Sequence, residues 1–211
     1  MILFLDTVSP LPEFSLIEDN KIIYSKKILT NDFDKMSDCI IPAYIDLEKK
    51  FPVNRKLQCL IVNTGPGSYT ALRVGIAFLS GLSIAKKIDF IGISCLDLYL
   101  YGIEQDKLHS SALYVGSSNN QNFIYLYDKK NGYIVQKIEK NKEIVELENL
   151  FLKQIITNIN PKLINKNLLK NIKHTKINFH ELVKLNLKNI LLLPRKAIIN
   201  PIYVSNNKIL N

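Results

Sequence analysis

The chain has 211 residues, of which 47% are hydrophobic, and it carries a formal net charge of +9. A chain of this length and composition can bury the core of one domain or of two small lobes. No stretch reaches the roughly 18 consecutive apolar residues of a membrane helix, and the three widely spaced cysteines, Cys39, Cys59 and Cys95, match neither a disulfide framework nor a zinc motif. We therefore expect a cytoplasmic protein with three core thiols and no membrane contact.

The net positive charge comes from the second half of the chain. Residues 1–108 carry 12 basic and 13 acidic side chains, whereas residues 109–211 carry 16 basic and 6 acidic ones. Only three of the 28 basic residues are arginines, although arginine suits phosphate better because it donates two parallel hydrogen bonds. Two interpretations stay open: lysines that coat a solvated surface, and a weak, salt-sensitive attraction of the second half to RNA.

The first half begins with a predicted three-stranded meander, ILFL, EFSLIED and KIIYSKKIL. The loop after the first strand carries Asp6 and Thr7. Residues 31–51 then place apolar side chains at helical spacing, among them Met36, Ile40 and Tyr44. Pro42 lies in the middle of this segment, so we expect it to kink or divide the helix.

The next unit is a buried strand, LQCLIVN, that leads through a GPGS turn into a helix over residues 68–87. This helix is apolar around most of its circumference, which indicates burial on more than one side. Ala77, Gly81 and Ala85 fall four residues apart on one face, where small side chains let another backbone approach. One side would cover the chain's own sheet, and the other needs a second partner.

A strand at DFIGIS and a Ser94-x-x-Asp97 capping box follow. A second meander is predicted from residue 111, with the strands SSALYVG, NFIYLYD and YIVQKIE. The tail predicts weak helices over residues 146–157 and 179–187 and a short strand at KLINK. The pattern therefore predicts an internally duplicated α/β fold, with an N-terminal lobe at 1–107 and a smaller, lysine-rich lobe at 108–211.

The GPGS turn itself does not match a nucleotide-binding motif. A Walker loop needs a lysine directly after its second glycine, and a dinucleotide fingerprint needs a third glycine where Thr70 stands. We expect a tight turn made by Gly65 and Gly67, with Ser68 or Thr70 capping the helix. An anion or a partner's carboxylate held at the helix start is the remaining alternative.

Several stretches together resemble the TsaB (YeaZ) family, a subunit of the bacterial machinery that makes threonylcarbamoyladenosine in tRNA. The glycine motif of that family reads close to GPGSFTGLRIG, and this chain has GPGSYTALRVG. The setting agrees at Asp6-Thr7, IIPAYIDL, SCLDL and Pro201-Ile202-Tyr203-Val204. The match extends to about residue 103 and is thin between 105 and 195.

The resemblance implies a two-lobed actin-like ATPase (ASKHA, ribonuclease H-like) fold that serves as a non-catalytic scaffold. It implies that the chain binds and activates the TsaD catalytic subunit, which modifies the adenosine next to the tRNA anticodon, and that it docks the TsaE ATPase. We expect the partner interface on helices 34–50 and 68–87, at Met36, Ile40, Tyr44, Arg73, Ala77, Gly81 and Ala85. We expect a vestigial phosphate loop at Asp6, Thr7, Gly65, Gly67, Ser68 and Thr70.

Departures from the family pattern weaken the case for a working polar site. Val8 replaces the serine of the usual D-T-S, GSSNN stands where D-A-R is often found, and only Gly132 follows Gly116 in the second lobe, where an ATP site needs glycine-rich turns. The metal-binding H-x-x-x-H of the catalytic relative is replaced by MSDCIIP, and no histidine precedes His109. We therefore predict no catalytic residue, no metal and no cofactor.

Three alternatives to the scaffold remain open. The chain could be an actin-like small-molecule kinase or ATPase that uses Asp6 and the GPGS loop. It could be an RNA-binding module that uses its lysine-rich half. Alone, it could form a homodimer through the same pair of helices.

Overall fold

A computed structural model describes residues 1–31, 33–117, 121–128, 132–138, 152–164, 172–195, 198–204 and 208–210. Two mixed β-sheets form the framework, and each begins with an antiparallel meander. The sheets repeat one strand order, which confirms the predicted duplicated α/β architecture.

The first sheet has five strands in the order β3-β2-β1-β4-β5. The central strand β1 pairs antiparallel with β2 and parallel with β4, so the carboxyl ends of β1 and β4 meet at one edge. The strands are β1 (Ile2–Asp6), β2 (Glu13–Glu18), β3 (Lys21–Lys27), β4 (Cys59–Asn63) and β5 (Asp89–Ile93).

Two long helices cover one face of this sheet. They are α1 (Met36–Lys50) and α3 (Tyr69–Lys86), with the short α2 (Val53–Lys56) between them in the chain. Both pack on the face that carries Leu3 and Leu5. Helix α1 is not divided at Pro42, contrary to one of the predicted outcomes. Pro42 lies on the exposed side, where water can hydrogen-bond the carbonyl that a proline leaves without its helical partner.

The second sheet has six strands in the order β10-β9-β6-β7-β8-β11. As in the first sheet, an antiparallel meander (β6, β7, β8) is extended by two parallel strands (β9, β10), and β11 adds an edge. The strands are β6 (Ser111–Gly116), β7 (Asn122–Asp128), β8 (Gly132–Ile138), β9 (Gln154–Thr157), β10 (Lys173–Lys176) and β11 (Lys208–Leu210).

Two predictions for the tail are wrong. Residues 154–157, expected as the end of a helix, form strand β9, and residues 146–151 lie outside the described residues. The KLINK segment begins in a 3-10 turn at Pro161–Leu163 instead of a strand, and residues 165 and 166 are not described. Asn160 caps this turn, since its side chain accepts a hydrogen bond from the Lys162 N–H.

The other face of the first sheet packs against the second lobe. Helix α4 (Cys95–Gly102) follows β5, and its predicted capping box is confirmed by the two Ser94–Asp97 hydrogen bonds. A 3-10 turn (Gln105–Ser110) leads into β6, and α5 (Phe179–Leu185) and α6 (Leu187–Ile190) confirm the helix predicted over 179–187.

The chain returns to the first lobe near its end. Phe179 and Val183 of α5 belong to the same buried cluster as Phe4, and the Ile202 N–H bonds the Thr64 carbonyl at 2.8 Å. The predicted lobe boundary between residues 107 and 108 stays a prediction. No helix within the described ranges has the length and apolar character needed to cross a bilayer.

Candidate functional site: a closed glycine turn and an exposed helix face

The vestigial phosphate loop forms where β1 and β4 end side by side. Asp6, the last residue of β1, accepts hydrogen bonds at Oδ1 from the N–H groups of Val8 (2.9 Å) and Ser9 (3.3 Å). Asn63, the last residue of β4, donates to the same oxygen at 3.3 Å and accepts from the Gly65 N–H at 3.1 Å. The carboxylate therefore organises its own loop and links it to the glycine turn.

The glycine turn packs directly on the β1–β2 loop. Gly65 has a φ of 104°, which favours glycine, and precedes a cis peptide bond to Pro66. A Cβ on Gly67 would lie 3.2 Å from the Val8 Cα, and one on Gly75 of α3 would lie 2.5 Å from the Thr7 Cγ2. The backbone of Gly67 therefore contacts Val8, and Thr7 contacts the α3 backbone.

The structure brings five of the six predicted loop residues together and buries them: Asp6, Thr7, Gly65, Gly67 and Ser68. The sixth, Thr70, lies on the exposed first turn of α3. The predicted side-chain cap is wrong, because Ser68 takes the N-cap position without a capping hydrogen bond. These five buried residues bond to or pack on one another. We therefore interpret the loop as a structural turn.

Asn158 of the second lobe links the β1–β2 loop to the second lobe. Its Nδ2 donates to the Gly116 carbonyl at 2.8 Å and to Ser9 Oγ at 3.2 Å, while its Oδ1 accepts from the Gly116 N–H at 2.9 Å. One amide therefore connects the β6–β7 loop to the β1–β2 loop. No motif or periodicity signals this contact, which joins residues far apart in the chain. Residues 118–120 of the predicted GSSNN departure lie outside the described residues.

The predicted partner interface requires a correction on α1. Met36, Ile40 and Tyr44 are buried in the chain's own core. The Tyr44 ring packs edge-on against Phe14 and Phe78, and burial raises its pKa. The apolar spacing identified a buried face correctly, but the chain's own sheet covers it.

The exposed side of α1 is apolar at other positions. Ile41 is 53% exposed and Ile45 is 43% exposed, four residues apart and therefore on one helix face. Since α1 and α3 pack side by side on the sheet, these isoleucines belong to the same surface of the lobe as α3.

Helix α3 exposes all four residues that the sequence predicted for it: Arg73, Ala77, Gly81 and Ala85. They follow one another at intervals of four, and a Cβ on Gly81 would meet no atom within 4 Å. Ile84, beside this row, is 75% exposed. We call Arg73, Ala77, Gly81, Ile84 and Ala85, together with Ile41 and Ile45 of α1, the helix surface. The helix surface combines small residues with exposed isoleucines. Exposed apolar patches of this kind are typical of protein interaction sites.

One end of the helix surface carries an arginine that contacts two tyrosines. Arg73 Nε donates to the Tyr203 hydroxyl at 2.7 Å, and its guanidinium lies 3.7 Å from the Tyr69 ring centre. The two tyrosine rings are 4.2 Å apart. Tyr203 comes from the Pro201–Val204 segment, so the end of the chain helps to build this surface. Arginine and tyrosine are the residue types that dominate binding hot spots.

A buried histidine at the junction of the lobes was missed from sequence. His180 of α5 has its Nδ1 2.6 Å from Ser15 Oγ of β2, its ring edge-on to Phe4, and its Nε2 3.9 Å from Glu13. Ser25 lies 3.1 Å from Ser15 on the far side. The set has the residue types of a nucleophile, a base and an acid, but Ser15 is 0% exposed. A substrate cannot reach it, so we assign the set a structural role.

Replacing Ser15 with alanine should lower the free energy of unfolding by about 1–2 kcal/mol, because the buried His180 loses its hydrogen-bond partner. Ser25→Ala is the matched control. It removes the neighbouring exposed hydroxyl and should change the free energy by less than about 0.5 kcal/mol. Urea denaturation measures both, and equal effects would contradict the assigned role of the Ser15–His180 bond.

The cysteines are buried or half-buried and unpaired. Burial raises the pKa of the Cys59 thiol to about 11 and that of Cys95 well above its ordinary value. Thiols of this kind are poor nucleophiles. Within the described part of the chain, no three histidine, cysteine, aspartate or glutamate side chains lie close enough to hold a metal ion.

A family model described as "TsaD: tRNA N6-adenosine threonylcarbamoyltransferase" matches residues 37–192. The chain belongs to this family. Comparison with curated protein sequences finds no match.

Solved structures identify the fold of this TsaD-family chain. It is similar to YeaZ from Pseudomonas aeruginosa, with a TM-score of 0.57 and 12% identity over 96% of this chain and 99% of that one. It is also similar to an uncharacterized protein "with similarity to peptidase YEAZ from Pseudomonas aeruginosa", with a TM-score of 0.60 and 14% identity over 96% and 98% of the two chains. The predicted two-lobed actin-like fold and the TsaB (YeaZ)-like resemblance are thereby confirmed.

Proposed function

We propose that this TsaB-like chain is a non-catalytic subunit of the system that places N6-threonylcarbamoyl on the adenosine next to the tRNA anticodon. Its task is to bind and activate a TsaD-like catalytic subunit in the cytoplasm and to offer a docking site to a TsaE-like ATPase. The observation that carries the proposal is the helix surface, a row of small residues with exposed isoleucines beside it on a lobe that has its own buried core. The family match supplies the reaction.

The corrected helix surface supports the partner assignment. The buried side of α1 and α3 belongs to the lobe's own core, so Gly81 and the neighbouring isoleucines form a face that does not need the partner in order to be built. A face that is already formed loses little conformational entropy on binding. The catalytic partner would gain a fixed support against its own helices, which holds its lobes in the active arrangement. A second copy of this chain could occupy the same face when the partner is absent.

The closed glycine turn supports the non-catalytic part of the proposal. A phosphate site needs backbone N–H groups that a ligand can approach. Here Gly67 contacts Val8, and the hydrogen bonds of Asp6 Oδ1 go to its own loop and to Asn63.

One observation favours the second candidate, an actin-like kinase or ATPase. Asp6 Oδ2 is buried and has no hydrogen-bond partner among the described residues, and a buried polar atom without a partner is costly. Titration of the isolated chain with ATP and magnesium separates the two functions. Micromolar binding would favour the enzyme.

Reconstitution tests the proposed function directly. A TsaD-like subunit, a TsaE-like ATPase, tRNA and a threonylcarbamoyl donor are combined with and without this chain. We expect the modified adenosine, measured by mass spectrometry of digested tRNA, to form only when the chain is present, and the chain to co-purify with the TsaD-like subunit. Equal activity without the chain would refute the proposal.

A further inference from the structure

A cavity lies between the lobes, apart from the glycine turn. It has a volume of about 290 Å³ and opens where the β1–β2 loop and the end of β3 face the segments that follow β9 and β10. None of Asp6, Thr7 or the GPGS residues lines it. Because β9 and β10 are parallel, their carboxyl ends meet at one sheet edge, the place where α/β proteins bind ligands.

Two asparagines, Asn160 and Asn178, line the cavity. The Oδ1 of Asn160 accepts from the Lys162 N–H at 3.1 Å, and the Oδ1 of Asn178 accepts from the His180 N–H at 2.8 Å. Each bond occupies the acceptor end of the side chain. Within the described ranges neither NH₂ group has a hydrogen-bond partner, so both can donate to a ligand.

Two lysines add positive charge to the same wall. Lys27 ends β3 and Lys176 ends β10, so they reach the cavity from different lobes. Within the described ranges, neither ammonium group has a carboxylate at ion-pair distance. An anion bound in the cavity would be attracted to both ammonium groups.

One carboxylate opposes an anion at this site. Glu13 lies opposite Lys27 in the strand register, but its Oε2 is 3.9 Å from His180 Nε2. The glutamate is therefore placed against the buried ring. Its negative charge weakens anion binding but does not affect the lysine and asparagine donors. Removing that charge should therefore strengthen anion binding, whereas removing the lysines should weaken it.

The surrounding charge favours a polyanion. Residues 149–211 contain ten lysines and one arginine against a single acidic residue, Glu181. The cavity lies at the lower end of the range of ligand pockets, about 300–1,000 Å³, and is large enough for a phosphate group. It suits one anionic group of a larger molecule that also runs along the lysine-rich lobe.

We propose that this cavity binds a phosphate group through Lys27, Lys176, Asn160 and Asn178, and that the phosphate belongs to an RNA backbone. A free nucleotide presents the same chemistry, and the experiment distinguishes the two sources. The inference does not depend on the catalytic subunit, because the complete site lies within this chain.

The test uses the full chain and three probes: inorganic phosphate, AMP and a labelled single-stranded RNA of about 12 nucleotides, a length within the usual range of single-strand sites. Lys27→Ala with Lys176→Ala should weaken RNA binding about tenfold in fluorescence anisotropy and lower the salt slope by about 1 to 2. Glu13→Gln should strengthen binding about threefold, because it removes the opposing charge.

The matched control is Lys21→Ala with Lys173→Ala. These lysines lie at the other ends of the same two strands and are exposed, so the double variant loses the same net charge outside the cavity. It should weaken binding less than twofold. If Lys27→Ala with Lys176→Ala lowers the Tm, the double variant Lys27→Met with Lys176→Met is used instead. Methionine keeps a long apolar side chain and removes the charge.

The outcomes separate clearly. RNA binding that depends on Lys27 and Lys176, with phosphate and AMP binding at least a hundredfold more weakly, supports the RNA backbone as the source. Equally tight AMP binding with the same dependence keeps the phosphate site and overturns the RNA assignment. Equal losses in the site and control variants, or no binding of any probe, overturn the inference. Reconstituted activity with the TsaD-like subunit is measured separately, so either proposal can fail alone.

Discussion

Gly81→Arg should weaken binding of the TsaD-like subunit by at least about 100-fold, which corresponds to about 2.7 kcal/mol, while the isolated chain stays folded. Gly81 lies in the exposed small-residue row of α3, and a side chain there meets no atom of its own chain. In the complex, a partner helix close to this row would clash with the longer side chain and would bury an unpaired charge, and both effects are costly.

Calorimetric titration of the purified subunits measures the affinity, and thermal unfolding of the free chain checks its stability. Asn189→Arg is the matched control, because Asn189 is also an exposed helical residue, on α6 of the other lobe. It adds the same charge and should leave the affinity within about twofold of wild type. An affinity of Gly81→Arg within threefold of wild type would remove this face of α3 from the interface.

The first lobe was predictable because each of its elements has a local signal. Alternation identified the β1–β3 meander, the GPGS turn separated β4 from α3, and Ser94 with Asp97 marked the start of α4. Apolar spacing cannot say what covers a helix face. Met36, Ile40 and Tyr44 have the periodicity of a buried stripe, and the chain's own Phe14 and Phe78 bury Tyr44. The exposed isoleucines, Ile41 and Ile45, lie on the other side of α1.

The tail was harder because its elements are short. Strand β9 has four residues, three of them buried, and a short apolar run reads equally well as part of a buried helix. What makes it a strand is non-local: β9 pairs in parallel with β6 and β10. Neither strand pairing can be recognised from the residues near β9 in the sequence.

In the candidate site, too, local features could be predicted from the sequence and contacts between distant residues could not. The resemblance placed Asp6 with Gly65 and Gly67, and they meet because β1 and β4 pair in parallel and end at one edge of the sheet. The contacts of Asn158 with Ser9 and of His180 with Ser15 span 149 and 165 residues and depend on how the lobes close. No periodicity or motif encodes such pairs, so sequence reasoning found the glycine turn and missed the junction that covers it.

Two glycines of α3 should respond in opposite ways to the same substitution. Gly75→Ala should lower the free energy of unfolding by about 1–3 kcal/mol, because the added methyl group would lie 2.5 Å from the Thr7 Cγ2 and 3.1 Å from the Leu5 Cδ2 in a filled core. Gly75→Leu should cost about 3 kcal/mol or more. Gly81→Ala should raise the free energy of unfolding by about 0.5–1 kcal/mol, because the site is open and alanine favours the helix.

Urea denaturation of the three variants measures these differences, and the Gly81→Ala variant is the control for helix propensity in the same helix. The contrast tests the packing of Thr7 on α3, which closes the vestigial loop. If Gly75→Ala stabilised the chain as much as Gly81→Ala does, Thr7 would be free to move away from the helix. The loop would then be open enough for a ligand, and the non-catalytic assignment would lose the closed turn that supports it.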